Sequence, residues 1–425
     1  MKKNSLLYKT YLAILQEELV PAMGCTEPIC IAYCAAKAKE VLEKEPERVV
    51  IEVSGNIIKN VKSVIVPNTN GLKGIEASAA VGIIAGDASK VLEVISKVSE
   101  KEKLQTARYL QETDIVVKPA RSEEQLDVKI HVYAKGEEAS VRIAGFHTNI
   151  VQITKNGEIL FEAGMISAKK VELTDRSMLN VQGIYEFAET VNIEDIENLL
   201  ERQITYNMAI AKEGMKNPYG ANIGKVIAKM DADTVKNKAR AYASAGSDAR
   251  MSGCEMPVII NSGSGNQGMT SSIPVIVYAE EYKKEKEKLY RALVLSNLIT
   301  IHQKTGIGRL SAYCGAVSAG CGAGCGIAYL LGCDYKTITH TLVNALGIVS
   351  GIVCDGAKPS CAGKIAAAID AGIMGYEMYC CGQQFYGGDG IISKGVENTI
   401  NNIGRLGKIG MAETDQEIIR IMTEC

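Results

Sequence analysis

The spacing of apolar residues changes along the chain and divides it into three regions. Residues 6–45 carry apolar side chains at helical spacing and are predicted to form two helices joined by a turn at PAMGCTEP. From residue 48 the spacing becomes alternating and β-branched, which predicts strands at RVVIEVSGN, VKSVIVP, LDVKIHVYA, ASVRIAG, NIVQITKNG and EILFEAG. A long helical stretch interrupts these strands. After Glu194 the pattern predicts helices separated by glycine-rich breaks.

This order of elements predicts an α+β fold with a large, mostly helical domain and a smaller α/β domain. The α/β domain is predicted at residues 46–175 and the helical domain at residues 176–425. Residues 1–45 are expected to pack on the helical domain. A chain of 425 residues is long enough for two or three such units.

Composition narrows the classes of protein. The 47 Lys and Arg residues balance 49 Asp and Glu residues, so neither nucleic acid nor an anionic membrane surface is an expected partner. The first twenty residues lack a signal-peptide cleavage site, and the chain has 13 cysteines without a CxxC pair. We therefore expect a cytoplasmic protein with free thiols, and neither a disulfide framework nor a zinc ribbon.

The uncharged stretch from Leu310 to Leu331 has the length of a membrane span. Its Gly, Ala, Ser and Cys content makes it only weakly hydrophobic, and no comparable second stretch exists. We expect the central helix of a large helical domain.

The segment PAMGCTEPIC places polar residues at a helix start. Pro28 suits the first position of a helix, so Cys25 and Thr26 would lie at its positive end, where an anion binds well. A thiolate or a substrate carboxylate is such an anion. A capped helix with a small buried cysteine is the alternative.

Cysteine spacing limits how the thiols combine. Cys314 and Cys321 share a helix face, but seven residues of helix rise about 10 Å, so one small cluster cannot use both. Its ligands should come from separate segments, and the chain offers Cys25, Cys314 and either Cys354 or Cys361. Core packing of all these cysteines is the alternative.

Further candidates for chemistry lie in polar segments. The glycine-rich loop NSGSGNQG can bind an anion through its backbone N–H groups, or it can be a tight turn. Such loops also hold pyridoxal phosphate in some lyases, yet the segment before it lacks the usual Schiff-base lysine setting. Lys59, His147 and Lys304 are candidate general bases, with solvated or packed side chains as the alternative.

Five segments together resemble the oxygen-sensitive iron–sulfur serine dehydratases and, within them, the L-cysteine desulfidases. They are GCTEPIC, SGNIIKNVKSVIVPNTNG, SDARMSGCEMPVIINSGSGNQG, GRLSAYCGAVSAGCGAG and VCDGAKPSCAGK, and they follow the family's order over nearly the whole chain. The segment VPNTNG departs from the more usual P-G-T-G of the desulfidases.

The resemblance implies a [4Fe–4S] cluster held by three cysteines, with one iron open to substrate. By position its ligands would be Cys25, Cys314 and Cys354. Cys361 matches a ligand position of the serine-type branch and competes with Cys25, which is favoured because GCTEP marks the desulfidases. The resemblance also implies that the helical domain is catalytic and that a C-terminal cysteine, here Cys425, can reach the open iron. A frayed tail is the alternative for that cysteine.

The reaction implied is the conversion of L-cysteine to pyruvate, ammonia and sulfide, with L-serine as the other candidate substrate. A pyridoxal-phosphate lyase, a non-catalytic amino-acid sensor and an electron-transfer protein are the alternatives. A homodimer is the default expectation for a soluble enzyme. The residues expected to bind the substrate are Thr26, Asn56, Ser262, Ser264, Asn266 and Gln267.

Overall fold

The structure is a computed structural model that describes residues 1–3, 5–122, 124–163, 174–230 and 233–424. Helices dominate, and a mixed β-sheet accompanies them, so the predicted α+β class is confirmed. The first five helices are α1 (Leu6–Glu18), α2 (Thr26–Leu42), α3 (Gly55–Val61), α4 (Gly74–Ala85) and α5 (Glu100–Glu112).

The remaining helices follow the sheet in the sequence. They are α6 (Val181–Thr190), α7 (Ile193–Lys216), α8 (Ile223–Met230), α9 (Val235–Met251), α10 (Gly265–Glu281), α11 (Lys286–Ile307), α12 (Gly315–Leu330), α13 (Tyr335–Val349), α14 (Cys361–Cys380), α15 (Val396–Arg405) and α16 (Ala412–Glu424).

The strands form two sheets. They are β1 (Pro21–Met23), β2 (Arg48–Val53), β3 (Asp114–Pro119), β4 (Asp127–Ala134), β5 (Glu137–Ala144), β6 (Ile150–Lys155), β7 (Glu158–Glu162) and β8 (Pro257–Ile259). The larger sheet has the order β3-β2-β4-β5-β6-β7, in which only the β2–β3 pair is parallel. Alternation of buried and partly exposed residues along β4 leaves one face for the core and one for solvent.

The sequence-based strand assignments differ from the structure at VKSVIVP and at β1, β3 and β8. The segment VKSVIVP was predicted as a strand, but only Ile65 bridges, to Lys73, because α3 continues to Val61. The strand β3 was missed, since its residues directly follow the long helix α5. The other predicted strands correspond to β2 and β4–β7.

The first two helices separate and pack on different layers. Helix α1 packs on the helical region, where the rings of Tyr8 and Tyr11 meet the edge of Phe187 at centroid distances of 5.2 and 5.6 Å. Helix α2 packs instead on β4, β5 and α4. Its small side chains allow this: a Cβ on Gly82 of α4 would lie 2.3 Å from the carbonyl oxygen of Ala32. The expectation that all of residues 1–45 pack on the helical domain is therefore wrong for α2.

Helix α12 is the uncharged stretch singled out in the sequence, and it lies in the centre of the helical region. It packs against α10, α11, α13 and α14. A Cβ on Gly320 would lie 2.4 Å from the backbone of Ala368, and one on Gly324 would lie 2.4 Å from the carbonyl oxygen of Gly372. Glycine therefore sets the close approach of α12 and α14. Among the described residues, no helix combines the length and apolar character needed to cross a membrane.

The smaller sheet is a two-stranded ribbon that positions the site. Strand β1 pairs antiparallel with β8, so that Pro21 lies opposite Ile259 and Met23 opposite Pro257. The first strand immediately precedes the GCTEP turn, and the second immediately precedes the NSGSGNQG loop. The ribbon therefore brings these two polar segments together, although they are far apart in the sequence.

Candidate functional site

Four cysteines from separate segments line one cavity of about 100 Å³. They are Cys25, Cys314, Cys354 and Cys361. The polar and charged side chains that share the lining are Glu27, Lys59, Asn60, Arg250, Ser264, Asn266, Gln267, Lys304, Arg309 and Ser311. A cavity that combines thiols with so many cations is suited to an anionic group.

Cys25 occupies the position before the first residue of α2, which begins at Thr26, two residues earlier than the start predicted from Pro28. The chain reaches it through Gly24, whose φ of +55° and close approach to Pro67 leave no room for a side chain. The Cys25 thiol donates to Oε2 of Glu27 at 2.9 Å and is almost completely buried. Burial raises the pKa of this thiol well above its ordinary value, so that it holds its proton in the absence of a metal.

A short β-bridge brings Cys314 and Cys354 together. Tyr313 and Val353 pair as an isolated bridge. The backbone N–H of Cys314 donates to Ile352 at 3.0 Å, and that of Cys354 donates to Ala312 at 2.6 Å. A hydrogen bond from the Cys314 thiol lowers the pKa of Cys354 and raises that of Cys314. Cys354 is therefore the more acidic thiol of the pair.

Cys361 begins α14 and reaches the same cavity from another side. Its sulfur accepts from the backbone N–H of Lys358 at 3.4 Å and donates to the carbonyl of Gly356 at 3.6 Å. It packs in a small apolar cluster with Cys25 and Met251. The structure thus brings both competing cysteines to the cavity, and the choice of Cys25 over Cys361 stays a prediction.

The donor set of the cavity fits an iron–sulfur cluster, whose irons are held by cysteine thiolates. Thiols from separate segments face one cavity, and cationic side chains lie beside them. Among the residues that the structure describes, no three His, Cys, Asp or Glu side chains are arranged to hold a single metal ion.

Lys304 is a fully buried amine at the end of α11. Burial lowers its pKa to about 8, although the nearby Cys354 and Cys314 act in the opposite direction. No carboxylate of the described chain lies within ion-pair distance of its Nζ. Such an amine can lose its proton more easily than an ordinary lysine.

Lys59 is equally buried but is held differently. Its Nζ pairs with Asp415 of α16, and its backbone carbonyl accepts from Nζ of Lys358 at 3.2 Å. The first turn of α16, which contains Asp415, therefore covers this side of the cavity. The neighbouring Asn56 lines a separate cavity of about 260 Å³ between α3 and α16, and it does not reach the cysteines.

His147 stands behind the cysteine cavity. Its Nε2 lies 3.9 Å from Oε1 of Glu27, and this buried nitrogen has no hydrogen-bond partner. Burial raises the pKa of Glu27, but the imidazole of His147 and the thiol of Cys25 outweigh it and lower that pKa to about 2. Asn60 also donates to Glu27, at 2.9 Å. Glu27 is a buried anion that the sequence did not single out.

The glycine-rich loop ends on the cavity. Ser264, Asn266 and Gln267 line it, whereas Ser262 turns to Oδ1 of Asn261. Thr26 does not line the cavity either; its hydroxyl donates to the carbonyl of Gly263 at 2.9 Å and so ties the loop to the start of α2.

Arg250 is the second residue that sequence reasoning missed. It lies in the last turn of α9, is 3% exposed and lines the cavity. The segment SDARMSGCEMPV was recognised, but nothing in a sequence shows that an arginine will be buried. Cys425, whose role was also in question, lies outside the described residues.

Comparisons with known proteins agree with the resemblance. A family profile described as serine dehydratase alpha chain matches residues 89–420. A UPF0597 protein of Desulfitobacterium hafniense is 64% identical over 422 residues, which cover 99% of this chain and 98% of the relative. UPF0597 proteins of Lachnoclostridium phytofermentans and Treponema denticola are 51% and 47% identical; the matches cover 98% of this chain in each case, and 100% and 98% of the relatives.

Proposed function

Because the chain belongs to the serine dehydratase alpha-chain family, we propose that it is an iron–sulfur-dependent α,β-eliminating lyase. The proposed substrate is L-cysteine, which would give pyruvate, ammonia and sulfide. L-serine is the second candidate, favoured by the family that the profile describes, and it would give pyruvate and ammonia. A cytoplasmic homodimer remains the expected form.

One observation carries this proposal. Cys25, Cys314 and Cys354 come from three distant segments and line one cavity beside a glycine-rich polar loop. Packing alone does not require thiols at the edge of a polar cavity, and other cysteines of this chain, such as Cys321 and Cys325, are completely buried in apolar surroundings.

The proposed cluster ligands are Cys25, Cys314 and Cys354, with Cys361 as the alternative to Cys25. A bound cluster with an open iron supplies a Lewis acid that polarises the leaving sulfur or hydroxyl of the substrate. The chain contributes the rest. Two buried cations, at Lys59 and Arg250, offset part of the negative charge of the thiolates.

Lys304 is the proposed base that removes the α-proton. It lines the cavity, it is buried, and no described carboxylate pairs with its amine. Lys59 is less suited because its Nζ is already paired with Asp415. His147 is less suited because it faces Glu27 and does not line the cavity. Ser264, Asn266 and Gln267 would orient the substrate by hydrogen bonds.

Loss of the proton and of the β-substituent leaves aminoacrylate, which tautomerises and hydrolyses without help from the protein. The site must therefore hold the substrate, remove one proton and exclude excess water. A fully buried base and a cavity of about 100 Å³ are consistent with that requirement.

The test is anaerobic purification, analysis of iron and sulfide, and measurement of pyruvate from L-cysteine and from L-serine. We expect about four irons per chain, activity that is lost in air, and sulfide release from L-cysteine. Replacing Cys25, Cys314, Cys354 and Cys361 singly by Ser identifies the ligands. Cys381→Ser, at an exposed position outside the cavity, is the matched control.

Each alternative predicts a different result. Activity that survives without iron, together with a lysine Schiff base that borohydride traps, would point to pyridoxal phosphate. Amino-acid binding with no pyruvate, under conditions where the cluster is complete, would leave a sensor. A reversible redox couple without lyase activity would leave electron transfer. Each of these results rejects the proposed function.

A further inference from the structure

Arg250 is a buried cation whose hydrogen-bonding capacity is mostly unused. Within the described part of the chain, only Nη1 has a partner, Oδ1 of Asn266 at 3.1 Å. Nε and Nη2 are buried and make no hydrogen bond. Among the described residues, no carboxylate lies within ion-pair distance of its guanidinium. Leaving charged donors unpaired in the interior is costly, so such a group indicates a missing anion.

The other cations of the cavity differ from Arg250, because each either has a carboxylate partner or can lose its charge. Nζ of Lys59 is paired with Asp415, and Nη2 of Arg309 donates to Oε1 of Glu18 at 2.8 Å. Lys304 lacks a counter-ion, but an amine can release its proton. A guanidinium cannot, so Arg250 keeps its charge and needs an anion.

The surroundings fix the guanidinium in place. A Cβ on Gly265 would lie 2.4 Å from Nε of Arg250 and 2.6 Å from the side chain of Val258. Glycine at this position therefore lets the first turn of α10 approach the arginine closely. Asn266 then holds one nitrogen. The two remaining donors, Nε and Nη2, are the adjacent pair that binds a carboxylate through two parallel hydrogen bonds.

We propose that Nε and Nη2 of Arg250 bind the α-carboxylate of the substrate and thereby restrict the site to amino acids with a free carboxylate. The identity of that substrate as an α-amino acid rests on the proposed function. Asn266 acts as the positioning residue that orients the guanidinium. The carboxylate replaces water at two donors that the folded chain leaves without partners.

A second explanation competes with this one. Arg250 acts electrostatically on the Cys25 thiol, so its charge could serve only to balance cluster thiolates. The two explanations differ in what the loss of Arg250 changes. Charge balance predicts lower iron content with unchanged selectivity for a carboxylate. Substrate binding predicts unchanged iron content with lost selectivity.

The test compares L-alanine, which has no leaving group, with L-alaninamide, which lacks the carboxylate. Binding of both is measured calorimetrically on anaerobic holoenzyme and on cluster-free protein. Truncating one partner of a buried charged pair lowers affinity by about 30-fold or more. We therefore expect L-alanine to bind at least about 30-fold more tightly than L-alaninamide, and Arg250→Gln to remove this preference.

The variants also separate binding from folding and from chemistry. Arg250→Gln should raise KM far more than it lowers kcat, with iron content kept, and Arg250→Lys should restore part of the affinity. Arg291→Lys is the matched control, because the nitrogens of that arginine are bound by Glu287 and the carbonyl of Ala188. Thermal unfolding checks that each variant is folded.

Two results would overturn the inference: wild-type protein that binds both probes equally, or an Arg250→Gln variant that keeps the preference, whether or not it loses iron. Failure of the proposed function looks different. A wild-type protein that makes no pyruvate yet prefers L-alanine through Arg250 would reject the lyase and support the carboxylate site.

Discussion

The ends of the helices and their interiors carry different kinds of residue, although both are buried. Cys25 and Cys314 immediately precede α2 and α12, Lys304 lies in the last turn of α11, and Arg250 lies in the last turn of α9. All four reach the cavity. The interior of α12, in contrast, consists mostly of small residues that pack closely against neighbouring helices.

Helix α12 shows this difference within one element. Cys314 at its start lines the cavity and contacts Cys354, whereas Cys321 and Cys325 inside it are completely buried. The free N–H groups and the positive dipole at a helix start favour thiolates, and the interior of a packed helix offers neither. The same residue type therefore takes a role set by its position along the helix.

The largest expected effect separates these cysteines. We expect Cys314→Ser and Cys354→Ser to lose most of their iron and at least about 100-fold in activity, because an alcohol is a poor ligand for iron. Cys325→Ala should keep its iron and activity and lose only some stability. Iron analysis and pyruvate formation measure both. If Cys314→Ser and wild-type protein contained equal amounts of iron, the proposal that the cysteine at the start of α12 binds the cluster would be contradicted.

The next effect concerns the amine at the end of α11. Lys304→Met should lower kcat by about 100- to 10,000-fold, the range for loss of a general base, while iron content is unchanged. Exchange of the α-hydrogen of L-alanine in D₂O should fall in parallel. Lys103→Met, at a buried lysine paired with Glu100 and Glu255, serves as the control. If the Lys304→Met variant exchanged the α-hydrogen of L-alanine as fast as wild type, another residue would have to be the general base.

A helix interior should respond through stability alone. A Cβ on Gly324 would lie 2.4 Å from the carbonyl oxygen of Gly372, so Gly324→Ala should lower the free energy of unfolding by about 2–3 kcal/mol. Gly363→Ala, where a Cβ would meet nothing within 4 Å, should cost almost nothing. Chemical denaturation measures the difference. Similar losses in the two variants would contradict the packing explanation.

The smallest effect depends on pH. Burial raises the pKa of Asp248, in the last turn of α9, to about 6, although the backbone N–H groups of Gly224 and Ile223 lower it. The folded state therefore keeps a proton that the unfolded chain releases near pH 4. The contribution of this proton to the free energy of unfolding is complete below pH 4 and is lost as the pH rises to 6.

Asp248→Asn lacks this titration, so it should gain about 1–2 kcal/mol relative to wild type between pH 4 and pH 6. Unfolding measured across this range tests the gain. Asp114→Asn, at an exposed position, is the control substitution. A parallel pH dependence in Asp248→Asn and wild type would rule out Asp248 as its source.

The pattern of residues predicted those strands and helices whose formation depends on their own sequence. The alternating strands β2 and β4–β7 follow from their own sequences, and so does the central helix α12. The cavity cysteines were selected from spacing and resemblance, and the structure places all four together.

Features that depend on distant contacts were not predictable in this way. Nothing in TEPICIAYCAAKAKEVL indicates that α2 will pack on a sheet, because the helix is apolar on nearly every side. Charged residues usually lie on the surface, so the burial of Glu27 and Arg250 is decided only when β1 meets β8 and the loop of residues 261–264 closes over them.

The ribbon of β1 and β8 has a consequence for biosynthesis. Its first strand leaves the ribosome early, whereas its second strand and the later cysteines follow only after most of the chain has been made. Cys25 is therefore synthesised long before the other cysteines of the cavity. The proposed cluster could be inserted only into an essentially finished polypeptide, and its retention would report that synthesis and folding were completed correctly.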